Sequence, residues 1–163
     1  MIDGVIAIAV LTPLSRKAST DFKAFSKFAR PLIRAFVSSE NPSMLICGYS
    51  FGDLYVNQLL QRHKLIHDKN ERVLLVDKWD DVHDTESLFK QIRAKANSGL
   101  REYVLRIIEC AYEIMTDTFK QFNKVADGCW ESPNGILRIY TKGFKSAVVE
   151  HKEEVMSFLQ ESN

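Results

Sequence analysis

The residues best suited to chemistry gather in one short string. Gly48-Tyr49-Ser50-Phe51-Gly52-Asp53 follows the apolar run Met44–Cys47 and continues as Leu-Tyr-Val-Asn57-Gln-Leu-Leu60. Two glycines and a serine between an apolar run and an amphipathic segment make a tight strand-to-helix turn. Gly48 has no Cβ, so a ligand backbone or phosphate can approach it closely. Ser50 and Asp53 are N-cap residue types, and the free N–H groups of a first helical turn attract an anion. An acidic side chain there can also accept from a ribose hydroxyl. The same string fits G-x-S-x-G, the elbow that presents a nucleophilic serine. Chain order would then supply Ser50, Asp77 and His151. A third reading is a plain strand–turn–helix connection with ordinary caps.

The elbow reading has little around it. One βα unit separates Ser50 from Asp77, whereas an acid normally comes from a strand further along the sheet. No glycine-bearing oxyanion segment precedes Gly48. His151 falls within a predicted helix, Val149-Glu-His-Lys-Glu-Glu-Val155, where a solvated face is expected.

The elements that must position this turn are legible as hydrophobic pattern. Gly4–Leu11, Met44–Cys47 and Val73–Val76 are short continuous apolar runs, the pattern of strands covered on both faces. Phe22, Phe25, Ala29, Leu32, Ile33 and Phe36 recur at helical spacing, interrupted by Pro31. Val56, Leu59 and Leu60 mark the inner face of a helix opening at Asp53. The spacing predicts a short helix over Leu88–Ala96 and a break at Asn97-Ser98-Gly99. One long helical stripe then runs through Leu100, Val104, Ile107, Ile108, Ala111, Ile114, Met115 and Phe119. Pro133-Asn134-Gly135, between Cys129–Ser132 and Ile136–Tyr140, predicts a hairpin or turn at a sheet edge. Lys145–Leu159 reads as a final amphipathic helix with Val148, Val149, Val155, Phe158 and Leu159 inward.

Strands alternating with helices imply an α/β fold: a partial, Rossmann-like parallel sheet with helices on both faces and an edge hairpin. Ligands bind such sheets beyond the carboxyl ends of the strands, here Thr12–Ser15, Gly48–Asp53 and Asp77–Asp81. The chain has 163 residues, so at roughly 150 per domain residues 1–163 form a single domain. Lys and Arg number 22 against 21 Asp and Glu, a balance that disfavours nucleic acid or an anionic membrane as the main partner. Cys47, Cys110 and Cys129 are too few and scattered for a disulfide framework or a zinc site, and a cytoplasmic location is expected.

The string Gly-Tyr-Ser-Phe-Gly-Asp-x-Tyr-Val-Asn-x-Leu-Leu, from Gly48 to Leu60, resembles the signature of bacterial sirtuin-like domains. Asp53 and Asn57 stand four residues apart, on one face of a first turn, which a hydrolase elbow does not require. Arg72–Asp77 is similar to the family's next strand, and Lys142-Gly143-Phe144 to its closing segment. The resemblance implies a Rossmann-type domain that binds NAD or ADP-ribose. Gly48, Tyr49, Ser50, Asp53 and Asn57 are then cofactor-binding candidates, with Gly48 and Ser50 at the ribose and phosphate. Asp77 stands at a strand end where sirtuins carry an Asn near the adenosine ribose. The family includes NAD-consuming hydrolases, several of them in bacterial antiviral defence.

The family's catalytic parts are absent from this sequence. The first strand leads into Thr12-Pro13-Leu14-Ser15 rather than a Gly-Ala-Gly loop, and no His precedes His63. No catalytic residue is assigned, and the sequence looks like the carboxyl-terminal half of such a domain. That half would expose an edge strand and an apolar face, so a homodimer or a partner protein supplying the rest is expected. The alternatives are a non-catalytic interaction module and a serine hydrolase with Ser50 as nucleophile.

Smaller groupings have plainer readings. Arg16, Lys17, Lys23, Lys27, Arg30 and Arg34 oppose only Asp21, and fit the wet face of a helix. Asp77, Asp80, Asp81, Asp84 and Glu86 with His83 fit a solvated acidic loop better than a metal site. Trp79 either flanks an adenine or closes the core.

Overall fold

The computed structural model describes residues 6–10, 43–49, 51, 57, 60, 72–94 and 98–160. The expectations for Thr12–Ser15, the Phe22–Phe36 stripe and the basic cluster around it lie outside these residues, as do Ser50, Asp53, His63 and His67. The three apolar runs are strands: β1 (Ile6–Val10), β2 (Ser43–Cys47) and β3 (Arg72–Val76). After β3 come α1 (Thr85–Ala94), α2 (Ser98–Ile107), a 3-10 turn (Tyr112–Ile114) and α3 (Met115–Lys120). Strands β4 (Asn123–Ala126), β5 (Cys129–Glu131) and β6 (Leu137–Tyr140) follow. A π-helical segment (Ser146–Glu150) and α4 (Lys152–Gln160) complete the described chain.

The sheet has six strands in the order β1-β2-β3-β6-β5-β4. Neighbours from β1 to β6 are parallel, with Cys47 opposite Val76 and Val76 opposite Tyr140. β5 and β4 then run antiparallel to their neighbours. The fold is α/β, a partial Rossmann-like sheet. The order runs with the chain from β1 to β3 and then reverses, because β4 and β5 are laid down outside the place that β6 takes beside β3.

Alternation along the strands feeds two cores. Met44, Ile46, Val73, Leu75, Leu137, Ile139 and Trp130 face α1, α2 and α3. Leu45, Leu74, Val76, Tyr140 and Cys129 face α4, with Val155, Phe158 and Leu159 packed on them. Two long-range bonds pin α4 to the sheet: Ser43 Oγ donates to the Leu159 carbonyl (2.6 Å) and Arg72 Nη1 to that of Phe158 (3.2 Å). No helix among the described residues is long and apolar enough to cross a membrane.

Four expectations are corrected. The Pro133-Asn134-Gly135 hairpin forms, pairing Cys129 with Tyr140, but β6 lies inside the sheet and β4 is its outer strand. The long stripe is not one helix: α2 ends at Ile107, and Glu109 turns the chain with φ 54. Cys110 N–H then reaches the Leu105 carbonyl (2.9 Å) and Glu109 N–H that of Arg106 (3.3 Å), a Schellman closure. Ser98 and Gly99, expected in a break, open α2. The final helix is two pieces meeting at His151, which turns Val149 outward at 67% exposure while Ala147 is buried.

Candidate functional site

β2 and β3 end side by side, so their next residues, Gly48 and Asp77, are neighbours at the carboxyl edge of the sheet. Gly48 N–H still donates to the Val76 carbonyl (3.1 Å). Gly48 then adopts φ 62 and is exposed, and a Cβ built on it meets nothing within 4 Å among the described residues. The backbone is therefore bare toward open space, as close approach of a phosphate or sugar requires.

The carboxylate of Asp77 is held from within its own turn. Oδ1 accepts from Lys78 N–H (2.8 Å) and Oδ2 from Trp79 Nε1–H (2.8 Å). β6 stays zipped to this end: Asp77 N–H donates to Tyr140 O (3.0 Å), Trp79 N–H to Thr141 O (2.9 Å) and Gly143 N–H to Asp77 O (3.0 Å). Trp79 is 5% exposed and belongs to the core, so it closes the core beneath this edge. Cys47, the residue before Gly48, has its thiol pKa raised by burial and by the Asp77 charge.

Tyr49 and Asn57 sit behind the turn. Tyr49 is 7% exposed and donates its hydroxyl to Asn57 Oδ1 (2.8 Å). Asn57 Nδ2 donates in turn to the carbonyl of Phe51 (2.9 Å), which has φ 57. The Tyr49 and Phe51 rings stand 4.6 Å apart, and Tyr103 of α2 lies 5.6 Å from Phe51. These contacts brace the turn against α2. Gly48 and Asp77 are brought together at the open edge, whereas Tyr49 and Asn57 are brought together inside it. Gly99 is a further member, absent from the sequence reading. A Cβ there would stand 2.4 Å from Asn57 Nδ2 and 2.8 Å from the Phe51 carbonyl oxygen. A lone glycine at a helix start carries no pattern that points to such a contact.

The serine-nucleophile arrangement is not assembled by the residues described. His151 gives Nδ1 to Glu154 Oε2 (2.9 Å) rather than to Asp77, and its ring lies beside Tyr140, 5.4 Å between centroids. The acidic loop after β3 is a helix cap: Asp84 Oδ1 accepts from Ser87 N–H (2.7 Å), while Ser87 Oγ accepts from the N–H groups of His83 and Asp84. No group of three or more His, Cys, Asp or Glu among the described residues is placed to hold a metal ion. Comparison with family models, curated proteins and solved structures finds none that matches this chain.

Proposed function

We propose that this chain is a sirtuin-like domain that binds NAD or ADP-ribose by the adenosine half and does not cleave the dinucleotide on its own. The observation that carries the proposal is the juxtaposition of Gly48, open and at positive φ, with the Asp77 carboxylate at the carboxyl edge of a parallel sheet. Bare backbone suits a phosphate or sugar, and a pre-oriented carboxylate suits ribose hydroxyls. The resemblance of Gly48–Leu60 to the family signature supports the same ligand. Gly48, Ser50 and Asp77 would hold it, with Asp53 making a polar contact or holding the turn. Tyr49 and Asn57, which the resemblance offers as contacts, would act by keeping the turn in shape. The relation to NAD-hydrolysing defence proteins rests on the resemblance alone.

A second reading has one observation in its favour. The polar groups of Tyr49 and Asn57 satisfy one another and the turn's own backbone, as an interaction module that kept the fold without the ligand would allow.

Calorimetric titration with NAD and with ADP-ribose, alongside a nicotinamide-release assay, separates the readings. Binding of both without nicotinamide, weakened by about tenfold in Asp77→Ala, is the expected result. Nicotinamide release overturns the non-catalytic assignment. No binding of either by folded protein favours the interaction module. Labelling of Ser50 by a serine-directed phosphonate would favour the hydrolase.

A further inference from the structure

Phe144 is 47% exposed, whereas every other aromatic side chain described is buried or half-buried. A single exposed apolar residue means little by itself. Its place in the fold gives this one significance. Tyr140 ends β6 opposite Val76, so the chain leaving β6 passes Asp77 on the side away from Gly48.

That passage is fixed by backbone. Lys142 pairs with Lys78 in an isolated antiparallel bridge, and Gly143 N–H donates to the Asp77 carbonyl (3.0 Å). Gly143 has φ 84, which turns the chain away from the strand direction. Its carbonyl then accepts from Ala147 N–H (3.2 Å), opening the helical segment that starts at Phe144. An exposed ring is thus carried on the residue after one bonded to Asp77, on a mount tied to the sheet.

The two flanks of Asp77 therefore differ in chemistry. The β2 flank brings the bare backbone of Gly48, and the β6 flank brings the ring of Phe144. Trp79, the other aromatic of this edge, is 5% exposed and closed within the core. A nucleotide has the same polarity. Its phosphate leaves the ribose from one end, and its base is attached at the other, on the carbon beside the 2′-hydroxyl. A ribose whose hydroxyls meet Asp77, with its phosphate at Gly48, brings the base within one ring's length of the β6 flank. A base has poorly hydrated flat faces and stacks on an aromatic side chain.

We propose that Phe144 is the stacking face for the purine base of the bound nucleotide, so that the adenosine lies across the strand ends with its base on the β6 side and its phosphate on the β2 side. This inference rests on the nucleotide reading above and adds to it the residue that holds the base and the direction in which the ligand lies.

Calorimetry with ADP-ribose on the whole chain, in wild type, Phe144→Ala and Phe144→Trp, tests it. Phe144→Ala should weaken ADP-ribose by about tenfold, and Phe144→Trp should bind it at least as tightly as wild type. The new indole should also change its emission when ADP-ribose binds, beyond any change in wild type, whose Trp79 and Trp130 are buried. That signal reports contact with the base and does not move if residue 144 only shapes the turn. Equal affinity in wild type and Phe144→Ala overturns this inference and leaves the nucleotide reading standing. So does binding to Phe144→Trp with no added change in emission. No binding of ADP-ribose by folded wild-type protein overturns both.

Discussion

Asn57 holds Phe51 in a backbone conformation that phenylalanine seldom adopts. The Asn57 amide donates to the Phe51 carbonyl at 2.9 Å, and Phe51 has φ 57. A bulky residue at positive φ is strained by roughly 1–3 kcal/mol and persists only where its surroundings over-determine it. Here the same carboxamide also accepts from Tyr49, so one side chain ties both ends of the Tyr49–Phe51 stretch. Asn57→Ala removes both bonds and leaves the nearly buried Tyr49 hydroxyl without that partner. Urea unfolding should show a loss of about 2 kcal/mol. A loss below about 0.5 kcal/mol would mean that water replaces the carboxamide at no cost.

Gly99 meets the same carboxamide from α2. A Cβ would press on Asn57 Nδ2 at 2.4 Å and on the Phe51 oxygen at 2.8 Å. The second contact is with backbone, which cannot swing aside. Gly99→Ala should therefore destabilise by about 1–3 kcal/mol, although alanine is the better helix former. In a double-mutant cycle with Asn57→Ala the two losses should fall short of adding, because removing the carboxamide relieves one of the two clashes. Strict additivity would show that Gly99 does not act through Asn57.

How far the sequence revealed this molecule depends on how local each signal is. Buried parallel strands announce themselves as apolar runs, and Met44–Cys47 and Val73–Val76 did so. Pro133-Asn134-Gly135 encodes a turn in three residues, so the β5–β6 hairpin was legible, but its place inside the sheet depends on pairing with β3. β4 was hidden because Asn123, Lys124 and Val125 are all exposed and show no alternation. The break at Glu109 carries neither Gly nor Pro, so the stripe ran on through it. At the candidate site, Gly48 was legible as a glycine that leaves room, and Asp77 as an acid at a strand end. The inward use of Tyr49 and Asn57 was not, since the amide–hydroxyl pairing exists only once the turn has formed. The break in the final helix was hidden for a similar reason. His151 reads as a solvated helix residue until the helix breaks there.

Glu109 offers a gain in stability. It occupies the left-handed position that closes α2, where glycine is the usual residue because it has no Cβ to strain. Glu109→Gly relieves that strain and adds entropy to the unfolded chain, and the two effects oppose each other. The net expectation is a stabilisation of about 0.5 kcal/mol. Thermal denaturation of the two proteins side by side measures it. A lower melting temperature for the variant would show that the glutamate side chain contributes more than the strain removes.

Asp84 makes the α1 cap sensitive to acid. Its hydrogen bonds from Ser87, backbone first, hold its carboxyl below the ordinary 3.8. A depressed folded-state value means that the ionised cap stabilises the fold fully above the unfolded value. That contribution is lost as pH falls through the folded one. Asp84→Asn keeps a capping oxygen without a charge to lose. The gap in melting temperature between wild type and Asp84→Asn should stay constant from pH 7 to about pH 5 and narrow below about pH 4. A gap that does not change down to pH 2.5 would show that the carboxylate is not titrating against Ser87.

Cys129 should be the slowest of the three cysteines to react. Burial raises its thiol to about 11, partly opposed by Arg138, so at pH 8.5 roughly 0.3% of it is thiolate in the folded protein. Its 6% exposure restricts a reagent further, whereas Cys47 and Cys110 are half-buried. Alkylation by iodoacetamide at pH 8.5, read by peptide mass spectrometry, should modify Cys129 only as fast as the fold opens. Its rate should then rise with urea in step with the unfolding equilibrium. The thiolate is favoured in the unfolded chain, so the same shift lowers stability as pH climbs above the ordinary thiol value of 9.0. Alkylation of Cys129 as fast as Cys110 in native conditions would show that neither its burial nor its raised thiol value restrains it.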